Sequence, residues 1–303
     1  MAHPRLTIQF CTYNRAALLR RVLRGCFEQT VPDYEVVVVN DGSTDETESV
    51  LEEAARIATV AFRYVSHRNR GLARSRNVGL EMARGQRILF IDDDVLPTPN
   101  LVEEHLRRAA RSPRDIVRGA VILTPSFDRL PAPFWSLRDY SANFFWTSNV
   151  SVPAETLIRL GGFNETFCEY GWEDLEFGLR LRRAGLRSHF HRDAVVFHYK
   201  APITAEMVPK MLDQARAQAR TAVAFGQLHA NWRVPLATGD DPVQRGIDRL
   251  FRALGRERRL QRLLEGSAPG VPLSAAQRRA VRGLCRHAYY AELERARALH
   301  AAW

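Results

Sequence analysis

Three aspartates close an apolar run at Arg87-Ile88-Leu89-Phe90-Ile91-Asp92-Asp93-Asp94. The apolar residues Ile88 to Ile91 predict a strand inside a sheet. The carboxylates that follow cannot stay buried without partners. Open α/β sheets hold their ligands at the carboxyl ends of strands, and the switch from apolar to acidic marks such an end. Asp92 and Asp94 lie two residues apart and can project toward one side of an extended strand end. Such a pair suits a hard divalent cation that carries phosphate oxygens. The simpler alternative is a solvated turn with helix-capping aspartates. Pro97, Pro99 and Asn100 argue against it, because they supply separate start signals for a helix over Leu101–Arg111.

A second acidic centre is Gly171-Trp172-Glu173-Asp174 at the start of a predicted helix. Adjacent carboxylates there complement the helix dipole. They could also do chemistry, since a rigidly held carboxylate is what a general base needs to take a proton from a hydroxyl. Trp172 offers a ring face for a sugar, and Asn149 is a polar residue on the preceding predicted strand. His198 ends the last predicted strand, where it is either structural or a further metal ligand.

Two more strand ends carry polar residues: Thr12-Tyr13-Asn14-Arg15 and Asn40-Asp41-Gly42-Ser43. Ser43 and Glu46 have capping-box spacing. Asp41 lies before that box. It is either a turn aspartate or an acceptor for a nucleobase ring N–H. Gly71, just before a predicted helix, permits close approach by a ligand. Arg74 and Arg76 could grip phosphate bidentately or form a solvated basic face.

The elements that must position these groups alternate. Strands are predicted at Leu6–Thr12, Tyr34–Asn40, Ala61–Val65 and Arg87–Ile91, with helices at Arg15–Glu28, Thr44–Ile57, Gly71–Arg84 and Leu101–Arg111. This alternation predicts an α/β fold with a Rossmann-like, mostly parallel sheet flanked by helices. Further strands are expected at Ile116–Leu123, Thr147–Val152 and Ala194–His198, and a helix at Trp172–Gly185. Beyond Ala201 no strand is predicted. Residues 1–200 are expected to form one domain and residues 201–303 an all-helical C-terminal extension, with helices at Ala205–Trp232, Val243–Glu265 and Ser274–Ala302.

Composition bounds the partners. The net charge of +10, almost wholly from arginine, favours anionic ligands such as nucleotides, acidic glycans or anionic lipid. The sequence holds neither zinc-finger spacing nor an aromatic-basic RNA signature, so nucleic acid is not expected. No apolar run reaches membrane-spanning length. Without a signal-peptide pattern, and with Cys11, Cys26, Cys168 and Cys285 scattered, a reducing cytoplasm is the expected location.

Taken in order, these segments resemble family 2 glycosyltransferases of the glycosyltransferase A fold. The matching pieces are Thr12-Tyr13-Asn14-Arg15, Asn40-Asp41-Gly42-Ser43, Arg70 to Asn77, the DxD motif Asp92-Asp93-Asp94 and Trp172-Glu173-Asp174, with His198 trailing. The likeness covers residues 5–200. It implies a metal-dependent inverting transferase, a hexosyltransferase-type enzyme of polysaccharide biosynthesis, using a nucleotide-diphosphate sugar. By that resemblance Thr12, Asn14, Arg15 and Asp41 line the nucleoside pocket, with Gly71 and Arg74 nearby. Asp92 faces the ribose with Asp93 beside it, and Asp94 and His198 hold Mn²⁺ or Mg²⁺. Asp174 is then the general base and Glu173 shapes the acceptor site, where Trp172, Trp146 and Asn149 are expected. A UDP-sugar is the favoured donor, although guanine and thymine also present ring N–H groups. The acceptor is expected to be a glycan or a lipid-linked saccharide. The rival readings are a sugar nucleotidyltransferase and a non-catalytic nucleotide- or glycan-binding protein. A nucleotidyltransferase should carry a glycine-rich phosphate loop after the first strand, where this chain has Cys-Thr-Tyr-Asn-Arg.

Two segments fall outside that pattern. Thr124–Trp146 carries Phe127, Phe134, Trp135, Tyr140, Phe144, Phe145 and Trp146 and is a candidate acceptor loop, although most of these rings are expected to close a core. In the extension, Val243, Ile247, Leu250, Phe251 and Leu254 fall on one helical face and Arg245, Arg249, Arg252 and Arg256 on the other. Such a helix either makes peripheral contact with an anionic membrane or packs on its helical neighbours with its arginines in water.

Overall fold

The computed structural model describes residues 3–134, 136 and 143–301. Two compact units are present: Met1–Cys168 with Glu173–Lys200, and Glu169–Trp172 with Ala201–Trp303.

In the first unit the elements run β1 (Leu6–Thr12), α1 (Ala16–Phe27), β2 (Tyr34–Asn40), α2 (Thr47–Ile57), β3 (Ala61–Ser66), α3 (Leu72–Met82) and β4 (Arg87–Ile91). They continue with β5 (Val95–Pro97), α4 (Leu101–Ala110), β6 (Ile116–Thr124), β7 (Asn149–Pro153), α5 (Ala154–Arg159), α6 (Glu173–Arg183) and β8 (Ser188–Tyr199). The eight strands form one sheet in the order β3-β2-β1-β4-β7-β6-β8-β5. The first four are mutually parallel, and β7 is antiparallel to both β4 and β6.

Strands β2 and β4 are buried along their whole length, as expected of near-continuous apolar runs covered on both faces. One core cluster packs Leu19, Val22 and Leu51 of the helices against Ile8, Phe10, Val36 and Val38. The other gathers Phe90, Phe145, Phe163 and Phe177, with Phe163 and Phe177 centred 4.7 Å apart. Phe127 and Phe145 of the aromatic loop therefore belong to the core, and Phe144 and Trp146 pack against it. Phe134 is exposed. Trp135 and Tyr140 lie outside the described residues.

Chain order reverses around β1, which lies between β2 and β4. The carboxyl ends of these three strands therefore meet, with Thr12 opposite Asn40 in the register. That reversal is the position where open α/β sheets form a ligand crevice.

The structure differs from the sequence reading in this unit at strand β8, which runs over Ser188–Tyr199 against the predicted Ala194–His198, and at three further places. Strand β5 and helix α5 were not predicted, both being too short to show periodicity. The expected Ser43–Glu46 capping box does not form. Helix α2 begins only at Thr47, and the Ser43 hydroxyl accepts the Asn14 backbone N–H at 2.9 Å. Glu46 takes the N-cap position without a side-chain cap bond, and Asp45 before it accepts the Thr47 N–H at 3.1 Å and the Ala16 N–H at 3.0 Å. A long-range partner has displaced the local one.

The second unit holds α7 (Val208–Leu228), α8 (Arg233–Thr238), α9 (Pro242–Ala253), α10 (Arg256–Arg262) and α11 (Ala275–Ala301). Its core joins Ala219, Ala222 and Val223 of α7 to Tyr290, Leu293 and Ala296 of α11, with Trp172 packed against them. The single helix predicted over Val243–Glu265 is broken at Gly255, whose φ of 69° is left-handed. Among the described residues no helix is long and apolar enough to cross a membrane. Of the two readings of α9, packing on its helical neighbours through the apolar face is not what is found. The only buried residue of this helix is Asp248.

Candidate active site

Asp92, Asp93 and Asp94 leave β4 at the crevice. His198, near the end of β8, approaches them, its Nε2 lying 3.1 Å from Asp94 Oδ1. Arg15 Nη1 donates to Asp94 Oδ2 at 2.7 Å. Burial works to raise the Asp94 pKa, but the hydrogen bond and charge of His198, together with Arg15, outweigh it and leave it at about 2. The Ser148 hydroxyl donates to Asp92. Burial pushes Asp92 upward, and pushes Asp93 up to about 6. One potential ligand atom from each of Asp92, Asp94 and His198 lies within 4.8 Å of the others.

The loops beside this cluster are tied to each other. Asn14 has a left-handed φ of 52°, and its side-chain oxygen accepts the Thr44 N–H at 2.7 Å. Asp41 accepts the Arg70 N–H at 2.9 Å and the Gly71 N–H at 3.2 Å. It thus anchors the turn into α3 and keeps spare acceptor capacity, since a carboxylate offers about four lone-pair sites. Gly71 has a φ of +88°, and a Cβ there would stand 2.7 Å from the Cys168 carbonyl oxygen. Gly71→Ala should cost about 1–3 kcal/mol through the strained backbone and the clash. Urea unfolding would measure it, and an unchanged midpoint would contradict the assignment. Arg74 pairs with Glu165 at 2.9 Å.

The second acidic centre is organised by Arg76, a residue the sequence treats as no more than a candidate phosphate ligand. Arg76 is buried. Its Nη1 reaches Glu173 at 2.8 Å and Asp174 at 2.7 Å, and its Nη2 reaches Thr147 Oγ1 at 2.5 Å. Asp92 Oδ1 lies 4.0 Å away, and the guanidinium stands over the Phe163 ring at 5.1 Å. Asp174 also accepts the Thr147 N–H at 3.1 Å and the Thr147 hydroxyl at 2.7 Å. Burial, then the neighbouring Asp174, raise the pKa of Glu173. One arginine therefore joins the cation-type cluster to the candidate base.

Thr147, Ser148 and Arg76 are the site residues that sequence reasoning missed or undervalued. Thr147 and Ser148 lacked any motif. Arg76 sits in a repeated arginine pattern in which nothing local sets it apart from Arg74. Asn149 is buried, and its amide is already committed. It accepts from His105 at 2.8 Å and donates to the Ala120 and Ala194 carbonyls, both at 3.0 Å. Those bonds brace three chain segments, so its expected contact with an acceptor does not follow from its position. Trp172, also expected at the acceptor, belongs to the second unit, where its indole N–H donates to the Gln218 carbonyl at 2.7 Å.

A sheet of this order, with carboxylates gathered where β1 and β4 end, has the glycosyltransferase A fold. Over its full length the chain superposes on the mannosyltransferase PcManGT from Pyrobaculum calidifontis, solved with GDP-Man and Mn²⁺. The TM-score is 0.60 with 22% identity, covering 88% of that chain. Residues 7–156 match the model of glycosyl transferase family 2, and residues 133–204 match that described as N-terminal domain of galactosyltransferase. Through residues 7–156 the protein belongs to glycosyl transferase family 2. It is 32% identical over 232 residues to validoxylamine A glucosyltransferase of Streptomyces hygroscopicus subsp. jinggangensis (strain 5008). That match covers 63% of this chain and 54% of the relative. It is 28% identical to chondroitin synthase of Escherichia coli over 65% of this chain and 35% of that one. The chain thus spans about half the length, or less, of these curated relatives.

Proposed function

We propose that the first unit transfers a sugar from a nucleotide-diphosphate sugar to an acceptor hydroxyl, with inversion at the anomeric carbon. The observation that carries this reading is the convergence of Asp92, Asp94 and His198 within 4.8 Å at the crevice of a family 2 fold. Two carboxylates and an imidazole form a donor set that accepts Mn²⁺ or Mg²⁺, and their spacing fits one ion. Asp94 and His198 would hold it, with Asp92 beside them on the ribose side. When bound, such an ion offsets the charge that grows on a departing diphosphate.

The chain's own residues supply the rest of the proposed mechanism. Thr12, Asn14, Arg15 and Asp41 line the nucleoside side, and Gly71 and Arg74 flank it. Asp41 has acceptor capacity left for a ring N–H, which uracil, guanine and thymine all present. Asp174 takes the proton of the attacking hydroxyl. Arg76 and Thr147 fix its carboxylate in one orientation, and Glu173 bounds the acceptor side. Attack by the aligned hydroxyl on the face opposite the leaving group inverts the centre. The acceptor is the hydroxyl of a glycan or a lipid-linked saccharide, and the basic helical unit supports its presentation at an anionic membrane.

One fold neighbour, PcManGT, was solved with GDP-Man and Mn²⁺, and another, GalNAc-T7, with UDP, GalNAc and Mn²⁺. They support the donor class and leave the base open, with a UDP-sugar the first choice to test. A thermal-shift panel of UDP-, GDP- and dTDP-sugars, each with and without Mn²⁺, decides it. The matching donor should stabilise by about 3 kcal/mol at roughly 100-fold over its Kd, and only when Mn²⁺ is present. If no nucleotide sugar shifts the midpoint in Mn²⁺, the proposal fails.

A further inference from the structure

Helix α9 is packed inside out. Its polar side faces the unit: Asp248 is fully buried, pairing with His287 Nδ1 at 2.5 Å and Arg252 Nε at 2.8 Å. Arg249 and Arg252 reach across to Glu294 of α11 at 2.7 Å and 3.2 Å. Three polar side chains of α9 are thereby committed to α11, and α9 cannot rotate without abandoning a buried ion pair. The opposite face is consequently left to solvent. Val243, Ile247, Leu250 and Leu254 follow the i, i+4, i+7, i+11 spacing of one helical stripe and are 67%, 38%, 57% and 62% exposed. Trp232 and Leu236 of the adjoining segment are each 67% exposed. A soluble surface rarely presents a contiguous apolar stripe without something to cover it.

Charge identifies what covers it. Residues 201–303 hold 17 Arg and Lys against 9 Asp and Glu, so a third of the chain carries +8 of the net +10. Arg258, Arg259 and Arg262, on the helix that follows, are exposed. An exposed apolar stripe on a strongly cationic unit matches an anionic lipid surface: the apolar side chains enter the acyl boundary while the arginines meet the headgroups. A second copy of the chain would fit the stripe and not the charge, because two units of +8 repel. We infer that the α9 stripe is a docking surface for an anionic membrane. This docking stands independently of the transfer chemistry.

The test uses the full chain and sedimentation with two kinds of vesicle: phosphatidylcholine alone, and phosphatidylcholine with phosphatidylglycerol. The protein should pellet with the anionic vesicles at low salt and be released as salt screens the headgroups. Leu250→Asp with Leu254→Asp should weaken that binding by about tenfold or more. Both positions are exposed, so the unfolding midpoint and the donor-dependent thermal shift should stay unchanged. Absence of binding, equal binding to neutral vesicles, or unchanged binding by the double variant would overturn the inference. So would light scattering that finds a dimer which the two substitutions dissociate.

Discussion

Asp174→Asn should slow sugar transfer by about 10²- to 10⁴-fold, the range for losing a positioned general base, while Mn²⁺-dependent donor binding persists. The amide has nearly the same shape and keeps an acceptor for the Thr147 N–H and hydroxyl, which now reach Asp174 at 3.1 Å and 2.7 Å. It cannot take a proton. Asp94→Ala should lose both transfer and the metal-dependent thermal shift, because it removes the carboxylate shared by Arg15 and His198. The two variants together separate a base from a metal ligand. They also separate an enzyme from a binding protein on the same scaffold, in which Asp174→Asn would change nothing measurable. Transfer rates and thermal shifts on both variants provide the check, and near wild-type turnover in Asp174→Asn would remove Asp174 from the mechanism.

Arg76→Gln should be the most destabilising single change at the site, by about 3–5 kcal/mol, the cost of removing one partner from a buried ion pair. The reason is the number of acids that depend on one guanidinium. Glu173 and Asp174 are within 2.8 Å of it and Asp92 is at 4.0 Å, all within a region largely removed from water. Without the arginine, Glu173 and Asp174 face each other uncompensated. Adding Glu173→Gln to Arg76→Gln should therefore recover part of the loss, because one buried charge disappears. Denaturant unfolding of wild type, both single variants and the double variant forms the cycle. Additive losses would mean that Arg76 is not coupled to Glu173, and that its contribution comes from its contacts with Asp174, Thr147 and Phe163.

Much of the site could be read from local sequence because its chemistry is written at strand ends. Asp92, Asp94 and His198 were each marked by a polar group that closes an apolar run, and this pattern survives without knowledge of the fold. Arg76 could not be singled out in that way. Its importance comes from Glu173 and Asp174, which lie 97 and 98 positions away in the chain. Ser43 shows the reverse error. Its spacing to Glu46 satisfies a local rule, and yet a contact from Asn14, 29 positions earlier, takes its hydroxyl.

The amino-acid sequence by itself determined the alternating α/β core, the acidic strand ends and the helical extension, because these follow from the period and type of neighbouring residues. Tertiary structure alone decided which charges compensate each other. It gave Asp174 its arginine and threonine, committed the Asn149 amide to the sheet, and turned the apolar side of α9 outward. Each of these outcomes depends on the cost of burying a charge or polar group without a partner, and the partner is supplied by a distant part of the chain.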